Sequence, residues 1–533
     1  MRKIARTKSP ASARPGCPIV GIGASAGGLE AFTQLLKQLP LDTGFGFVLV
    51  QHLDPLHESA LSQLLARATA MPVREVTNNL RVQANRVYII PPNASMGIAN
   101  GRLKLQPRAR NGLPARSIDF FFEALAKDQQ ERSVGVILSG KASDGTVGLE
   151  AIKAEGGLTF AQDDSASYDS MPRSAVAAGC VDAVLSPAHI ARELTRIAKH
   201  PYVAGGNGVK SGGNGRVAPG SGAAGRPEPD AYRKILLLLR NHSGVDFSFY
   251  KTTTIHRRIS RRAVLNHHAS LEHYAGFLRG NARELDALYA DALISVTSFF
   301  RNADAFAVLK TKVLARLLAS RGDEPLRIWV LGCSTGQEAY SLAMLFAEAA
   351  EKTHHPRKLQ VFATDLNEAN LQKARHGLYL KSAVEDVSPE RLRRFFVAEE
   401  GGYRIIKTLR EQVVFARHNL ISDPPFSRMD LITCRNVMIY IEPGLQKKAL
   451  PAFHYALKPE GYLFLGASES VGGFTDLFAP VDKKQKIFAK RSAPTLTFPL
   501  PVRNEHGHHR AAGAAGRRRP SGVNSTRSAR RTA

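Results

Sequence analysis

Apolar residues follow two alternating rhythms along this chain. Short continuous apolar runs, the pattern of strands buried on both faces, recur at 18–21 (PIVG), 46–51 (GFVLVQ), 134–138 (VGVIL), 328–331 (IWVL), 359–364 (LQVFAT), 431–434 (LITC) and 462–466 (YLFLG). After the first run the apolar positions return at helical spacing, at Leu29, Phe32, Leu35, Leu36 and Leu39, and after the fourth at Ala339, Leu342 and Ala343. Strand followed by helix, repeated in both halves, predicts an α/β fold of two doubly wound parallel-sheet domains. Residues 230–294 break that rhythm. Leu236 and Leu239, then IHRRISRRAVLNHH, then 271–293 read as helices only, and predict a small helical domain between the two sheets.

The intervening composition sets the boundaries. Residues 203–229, VAGGNGVKSGGNGRVAPGSGAAGRPEP, hold glycine, serine and proline with almost nothing apolar, and read as a flexible linker. The expected layout is a disordered basic leader (1–17), an α/β domain (18–200), the linker (201–229), the helical segment (230–294), a second α/β domain (295–490) and a disordered basic tail (491–533). A length of 533 residues agrees with more than one core.

Charge and cysteine content narrow the class. A net charge of +27 invites a nucleic-acid partner, but much of it sits in the tail, where Arg517, Arg518, Arg519, Arg527, Arg530 and Arg531 face the single acid Glu505. The location argues against nucleic acid. No apolar stretch approaches the roughly 20 residues that span a bilayer, and the first residues carry no apolar segment of signal-peptide length, so a cytoplasmic protein is expected. Four cysteines lie far apart with no C-x-x-C pair, which predicts neither a metal site nor a disulfide framework.

Three strand ends in the first half carry chemistry. Ser25, in GIGASAGGLEAF, sits where a strand turns into a helix; the turn fits a serine nucleophile or a glycine-rich phosphate loop. His52 follows the second run, with His57 as a rival. Asp144 lies in SGKASDGTVG, after the third. A serine, a histidine and an aspartate leaving parallel strands on one side are how a triad assembles in an α/β sheet.

These residues resemble the catalytic domain of the CheB-type chemotaxis protein-glutamate methylesterases. The resemblance covers about 18–199, through GIGASAGG, VLVQHLD, VYIIPPN, SIDFFFEALA, VILSGKASDG, AQDDSASYDSMPRSAV and AAGCVDAVLSP. It implies Ser25 as nucleophile, His52 as its base, Asp144 as the group orienting the histidine, and a receptor glutamate methyl ester as substrate. Ala142 stands where that family usually has glycine, and Lys141 where it has a small or apolar residue. The receiver domain that precedes many such esterases is not expected ahead of this one.

In the second half, LRIWVLGCSTGQEAYSLA is a buried strand turning into a helix, with Gly332 and Gly336 letting backbone approach a ligand. That turn alone does not separate a cofactor loop from any α/β turn. Asp365, at the end of the next strand, is placed to accept hydrogen bonds from ribose hydroxyls. Arg257, Arg258, Arg261 and Arg262 recur at i and i+4 spacing as a basic helix face able to grip an acidic protein helix.

This half resembles the CheR-type chemotaxis methyltransferases over about 231–490. The motifs are YKTTTIHRRISRR, SVTSFFRN, LGCSTGQEAYS, FATDLNEANLQKARHGLY, HNLISDPPFSRMDLITCRNVMIY and GYLFLGASES. The resemblance implies S-adenosyl-L-methionine as cofactor, held by Thr297, Arg301, Glu338, Asp365, Asn419, Leu420, Arg435 and Asn436, with Tyr440 near the methyl group. The implied acceptor is a glutamate carboxylate on a chemoreceptor cytoplasmic helix. Ser295, Gln337 and Ala339 depart from the family's usual asparagine, acid and proline. The DPPF at 423–426 resembles a tetrapeptide of amine and base methyltransferases, but precedes the fourth strand instead of following it. The expectation is a bifunctional enzyme that methylates receptor glutamates and hydrolyses the esters; the alternatives are a signalling scaffold with one or both activities lost and a nucleic-acid methyltransferase.

Overall fold

The computed structural model describes residues 16–52, 61–107, 116–204, 230–319, 324–351 and 357–493. Most of the expected leader, tail and linker, together with His57, lies outside these residues.

In the first half, β1 (Ile19–Ala24), β2 (Gly46–Gln51), β3 (Val73–Glu75), β4 (Arg86–Ile89), β5 (Ser133–Ile137), β6 (Leu158–Gln162) and β7 (Ala183–Leu185) form one sheet in the order β7-β6-β5-β1-β2-β4-β3. Every pairing in it is parallel. β1, β2, β5 and β6 are buried almost throughout because helices cover both faces, which is why they read as continuous apolar runs. On one face α1 (Gly28–Gln38) supplies Phe32, Leu35 and Leu36 to a core shared with Leu194 and Ile197 of α4 (Pro187–Ala198). On the other, α2 (Ser117–Gln129) brings Phe121, Phe122 and Leu125 against Leu149 and Ile152 of α3 (Thr146–Ala154). Gly23 lets α2 lie close on β1: a Cβ there would meet Ile118 Cγ2 at 2.5 Å. That close approach aims the first turn of α2 at the rim of the sheet.

The helical segment is α5 (Asp230–Ser243), α6 (Thr252–Leu265), α7 (Leu271–Leu278) and α8 (Ala282–Ala292), around a core that includes Ile235, Leu239, Ile255, Ile259, Tyr274 and Leu288. The second sheet runs β10-β9-β8-β11-β12-β14-β13, from β8 (Leu326–Leu331), β9 (Leu359–Asp365), β10 (Val413–Arg417), β11 (Met429–Cys434), β12 (Leu457–Leu465), β13 (Phe478–Asp482) and β14 (Ile487–Lys490). Five of these strands are parallel, and β14 and β13 close the edge antiparallel. The expectation of a wholly parallel second sheet needs that amendment: β13 and β14 form a hairpin, which pairs without a helical crossover. β8 leads through the Gly332 turn into α9 (Gln337–Ala350), and β9 into α10 (Glu368–His376). The DPPF segment lies between β10 and β11, as expected, and its Phe426 meets Trp329 edge to face and lies tilted against Phe362.

The four arginines of α6 are not a free basic face. Arg261 is fully buried; it donates to Gly157 O at 2.9 Å and pairs with Asp182 of the first domain and Asp291 of α8. Arg258, 3% exposed, donates to the carbonyls of Lys153 and Ala154, and Arg257 pairs with Glu131 and Glu155. Arg262 forms a two-pronged bond to Glu284. The carbonyls at the carboxyl end of α3 have no partners within their own helix, and guanidinium groups satisfy them. Of the expected docking surface for an acidic substrate helix, Arg257, Arg258 and Arg261 are therefore engaged by the first domain and Arg262 by Glu284 of α8. Periodicity finds a basic stripe but not what covers it.

Candidate functional sites

The first site lies at the carboxyl rim of the all-parallel sheet. Ala24 pairs with Gln51, so Ser25 and His52 leave adjacent strands one residue beyond matched positions. Ser25 N donates to Ser139 O (3.0 Å), just past β5. Ser139 Oγ in turn donates to Ala26 O (2.8 Å), and Ser139 N donates to Gln162 Oε1 (2.9 Å). The serine turn is thus pinned from two neighbouring strands. Among the described residues no side chain caps the amino end of α1, three residues on, leaving its dipole facing the rim.

Asp144 is 8% exposed, and its Oδ2 lies 2.7 Å from His52 Nε2. Its oxygens also accept the amides of Ile118 (3.0 Å) and Asp119 (2.9 Å) at the start of α2. Two amides at a helix amino terminus fix the carboxyl group in place and aim it at the imidazole. With Nε2–H directed at Asp144, Nδ1 carries the lone pair that can accept a proton. Among the described residues no hydrogen bond joins Ser25 Oγ to His52. The sequence reading missed the amides of Ile118 and Asp119, although Ser117 and Asp119 are the residue types that mark a helix start. Ala142 adopts φ 69°, a conformation glycine takes without strain, and Lys141 Nζ lies over the Tyr168 ring at 4.7 Å.

The second site is a cavity at the carboxyl ends of β8, β9 and β11, and it takes in all nine residues expected there. Thr297 and Arg301 line it from the segment before β8, and Glu338 from α9. Asp365 ends β9, Asn419 and Leu420 follow β10, and Arg435, Asn436 and Tyr440 follow β11. Asp365 Oδ2 accepts Ser334 N and Oδ1 accepts Asn367 N, both at 2.8 Å; burial still holds this carboxyl above its ordinary range. Arg435 is 5% exposed, clamped between the Phe306 and Phe464 rings, and donates to Glu338 Oε2 (3.1 Å) and Arg301 O (2.7 Å). It positions the wall of the cavity from behind.

Two supports escaped the sequence reading. Glu469, from the GASES stretch, accepts the amides of Asn436, Val437, Met438 and Gly466 at 2.6 to 2.9 Å and shapes the loop after β11. Asn370 of α10 donates to Ser295 Oγ at 2.7 Å, so the shorter serine at that position is fully engaged. Tyr440 is fixed through its carbonyl, which accepts Lys251 N at 2.9 Å from the start of α6.

Comparison with known proteins follows the same division. Residues 20–194 match the family described as CheB methylesterase, 230–293 the all-alpha domain of CheR methyltransferase, and 295–487 its SAM binding domain. A chemotaxis protein methyltransferase of Listeria monocytogenes is 34% identical over 235 residues, which cover 44% of this chain and 87% of that protein. An uncharacterized 104.1 kDa protein of Rhodobacter capsulatus is 39% identical over 439 residues, 80% of this chain; the match spans only 46% of that protein's length. The CheB methylesterase catalytic domain of Thermotoga maritima is 29% identical, with 34% of this chain and 98% of that chain covered and a TM-score of 0.32. Among the described residues no helix is long and apolar enough to cross a membrane, and no cluster of side chains could hold a metal ion.

Proposed function

Because the chain belongs to the CheR family of chemotaxis methyltransferases, with a CheB methylesterase domain ahead of it, we propose that it methylates glutamate side chains of chemoreceptor helices and hydrolyses the esters at a second site. One arrangement carries this reading. In each sheet, side chains from separate strands converge on the carboxyl rim: His52 on Asp144 in the first, Asp365 and Glu338 on one cavity in the second.

The second cavity suits S-adenosylmethionine. Its wall alternates apolar residues, Val296, Leu366, Ile421 and Val437, with the carboxylates of Asp365 and Glu338. Two wall residues, His418 and Arg435, each keep a buried polar atom with no partner among the described residues. Asp365 would hold the ribose, its amide bonds fixing the carboxylate while each oxygen retains a free lone pair. When bound, the cofactor supplies a methyl group activated by its sulfonium. A glutamate acceptor is ionised at neutral pH, so the protein has only to align and desolvate it, and Tyr440 stands where it can orient that carboxylate. At the first rim Ser25 would attack the ester, His52 take and return its proton, and Asp144 steady the imidazole. The proposed substrate, a receptor's acidic cytoplasmic helices, places the reaction on the cytoplasmic side of that receptor.

A second reading, methyltransferase activity alone, draws support from the missing Ser25–His52 hydrogen bond. One experiment separates the two. The chain is incubated with receptor cytoplasmic fragments and methyl-labelled S-adenosylmethionine. Base-labile methyl transfer and methanol release are expected, and Ser25→Ala should stop the release while esters accumulate. Methanol release unchanged in Ser25→Ala leaves methyltransferase alone; no transfer and no release refutes both readings.

A further inference from the structure

Behind the first rim, a second carboxylate, Asp119, stands next to Asp144. Its amide donates to Asp144, and its Oδ1 accepts Gly148 N at 2.7 Å, so it ties the start of α2 to the start of α3, on either side of the triad aspartate. It is 2% exposed, and burial, with the negative charge of Asp144, pushes its carboxyl up to about 7. Among the described residues one cation pairs with it: Arg116 Nε and Nη2 each lie 3.2 Å from Asp119 Oδ2.

That guanidinium is shared. Arg116 Nε is also 3.2 Å from Glu385, and Nη1 is 3.6 Å from Asp386, both in a turn of the methyltransferase domain that follows a short 3-10 helix at Lys381–Val384. Burial raises the Glu385 carboxyl and the charge of Asp144 adds to it, against the pull of Arg116, so the turn lies within the electrostatic reach of the triad. The charged groups facing Asp119 are thus Arg116 beside it, Asp144 with His52 beyond, and Glu385 and Asp386 across the domain boundary.

We propose that Arg116 is a positioning residue for the esterase triad, clamping Asp119 behind Asp144, and that the acidic turn Glu385–Asp386 of the methyltransferase domain competes for it, so that one catalytic domain tunes the other. The proposal rests on the esterase reading of Ser25. An ionised Asp119 favours the imidazolium that His52 becomes when it takes the serine proton, through Asp144. Glu385 and Asp386 draw the guanidinium away from Asp119, and a turn that moved off would hand the whole charge back.

The test is the rate at which a fluorophosphonate probe labels Ser25 in the full chain, measured from acid to alkaline pH. Labelling in the native chain but not in Ser25→Ala establishes the nucleophile; no labelling in the native chain ends both the esterase reading and this inference. In Arg116→Ala, Asp119 stays protonated to higher pH, so labelling should slow about tenfold at pH 7 and the acid limb set by Asp119 should move up by about one pH unit, and Arg116→Lys should restore the rate to within about threefold. Glu385→Gln combined with Asp386→Asn, outside the esterase domain, should shift the limb the opposite way by about half a unit, and holds the test open if Arg116→Ala does not fold. A native-like profile in Arg116→Ala, a lysine variant as slow as the alanine one, or an unmoved profile in the acidic-turn variant overturns the proposal while leaving the esterase reading intact.

Discussion

Replacing Arg261 by methionine tests the contact between the two halves most directly. The guanidinium has no exposed surface and holds two carboxylates, Asp182 and Asp291, whose side chains are 2% and 10% exposed. Methionine fills most of the volume but strands both acids. Asp182 keeps Lys153 at 3.6 Å and the Thr159 amide at 2.9 Å. Breaking a buried ion pair from one side costs about 3–5 kcal/mol, mostly as uncompensated charge. Burial pushes the Asp291 carboxyl up, but its neighbours, Arg261 foremost, hold it below the ordinary range. Its contribution to stability is therefore present above the unfolded carboxylate range and lost as pH falls through the lower folded value. Urea denaturation followed by the single tryptophan, Trp329, buried in the second sheet, reads the loss for that domain, and calorimetry reads it for the whole chain. The loss should appear at pH 7, shrink toward pH 3, and be mostly recovered by adding Asp182→Asn and Asp291→Asn. A destabilisation below about 1 kcal/mol, the value for an exposed pair, refutes the buried latch.

Two further predictions address single carboxylates. Asp365→Ala should weaken binding of S-adenosylmethionine, read by isothermal titration calorimetry, by about 3 kcal/mol or more, if the proposed charged hydrogen bonds to two ribose hydroxyls are what it removes; affinity within threefold of native would remove Asp365 from the cofactor site. Burial pushes the carboxyl of Glu150 up to about 7, against the pull of Lys373. A raised carboxyl makes the native state bind more protons than the unfolded one, so stability falls as pH rises from about 4.5 to 7. Glu150→Gln should therefore stabilise the chain at pH 8 and change little near pH 4, in paired thermal melts; an equal effect at both pH values would count against it.

The supports behind each site were less legible than the sites. Ser25, His52 and Asp144 could be read because a parallel sheet sends all its strands' carboxyl ends to one rim, so three local strand ends locate one place. Asp365 and the Gly332 turn were legible for the same reason. Glu469, which gathers four amides, and Asn370, which completes Ser295, gave no local signal, since main-chain amides carry no residue identity and the pairs close only in the fold. Ala142 is the reverse case: the departure was visible in sequence, and the structure supplied its meaning as a positive φ.

By itself the sequence determined two α/β domains, a helical segment between them and the strand ends that bear the chemistry, because apolar periodicity and strand-end placement are local properties. Only the tertiary structure decided what the arginines of α6 face, and that Arg116 stands between Asp119 and an acidic turn of the other domain. A charged side chain's role depends on what surrounds it in space, since burial multiplies Coulomb energies that water would otherwise screen, and residues far apart in the chain supply those surroundings.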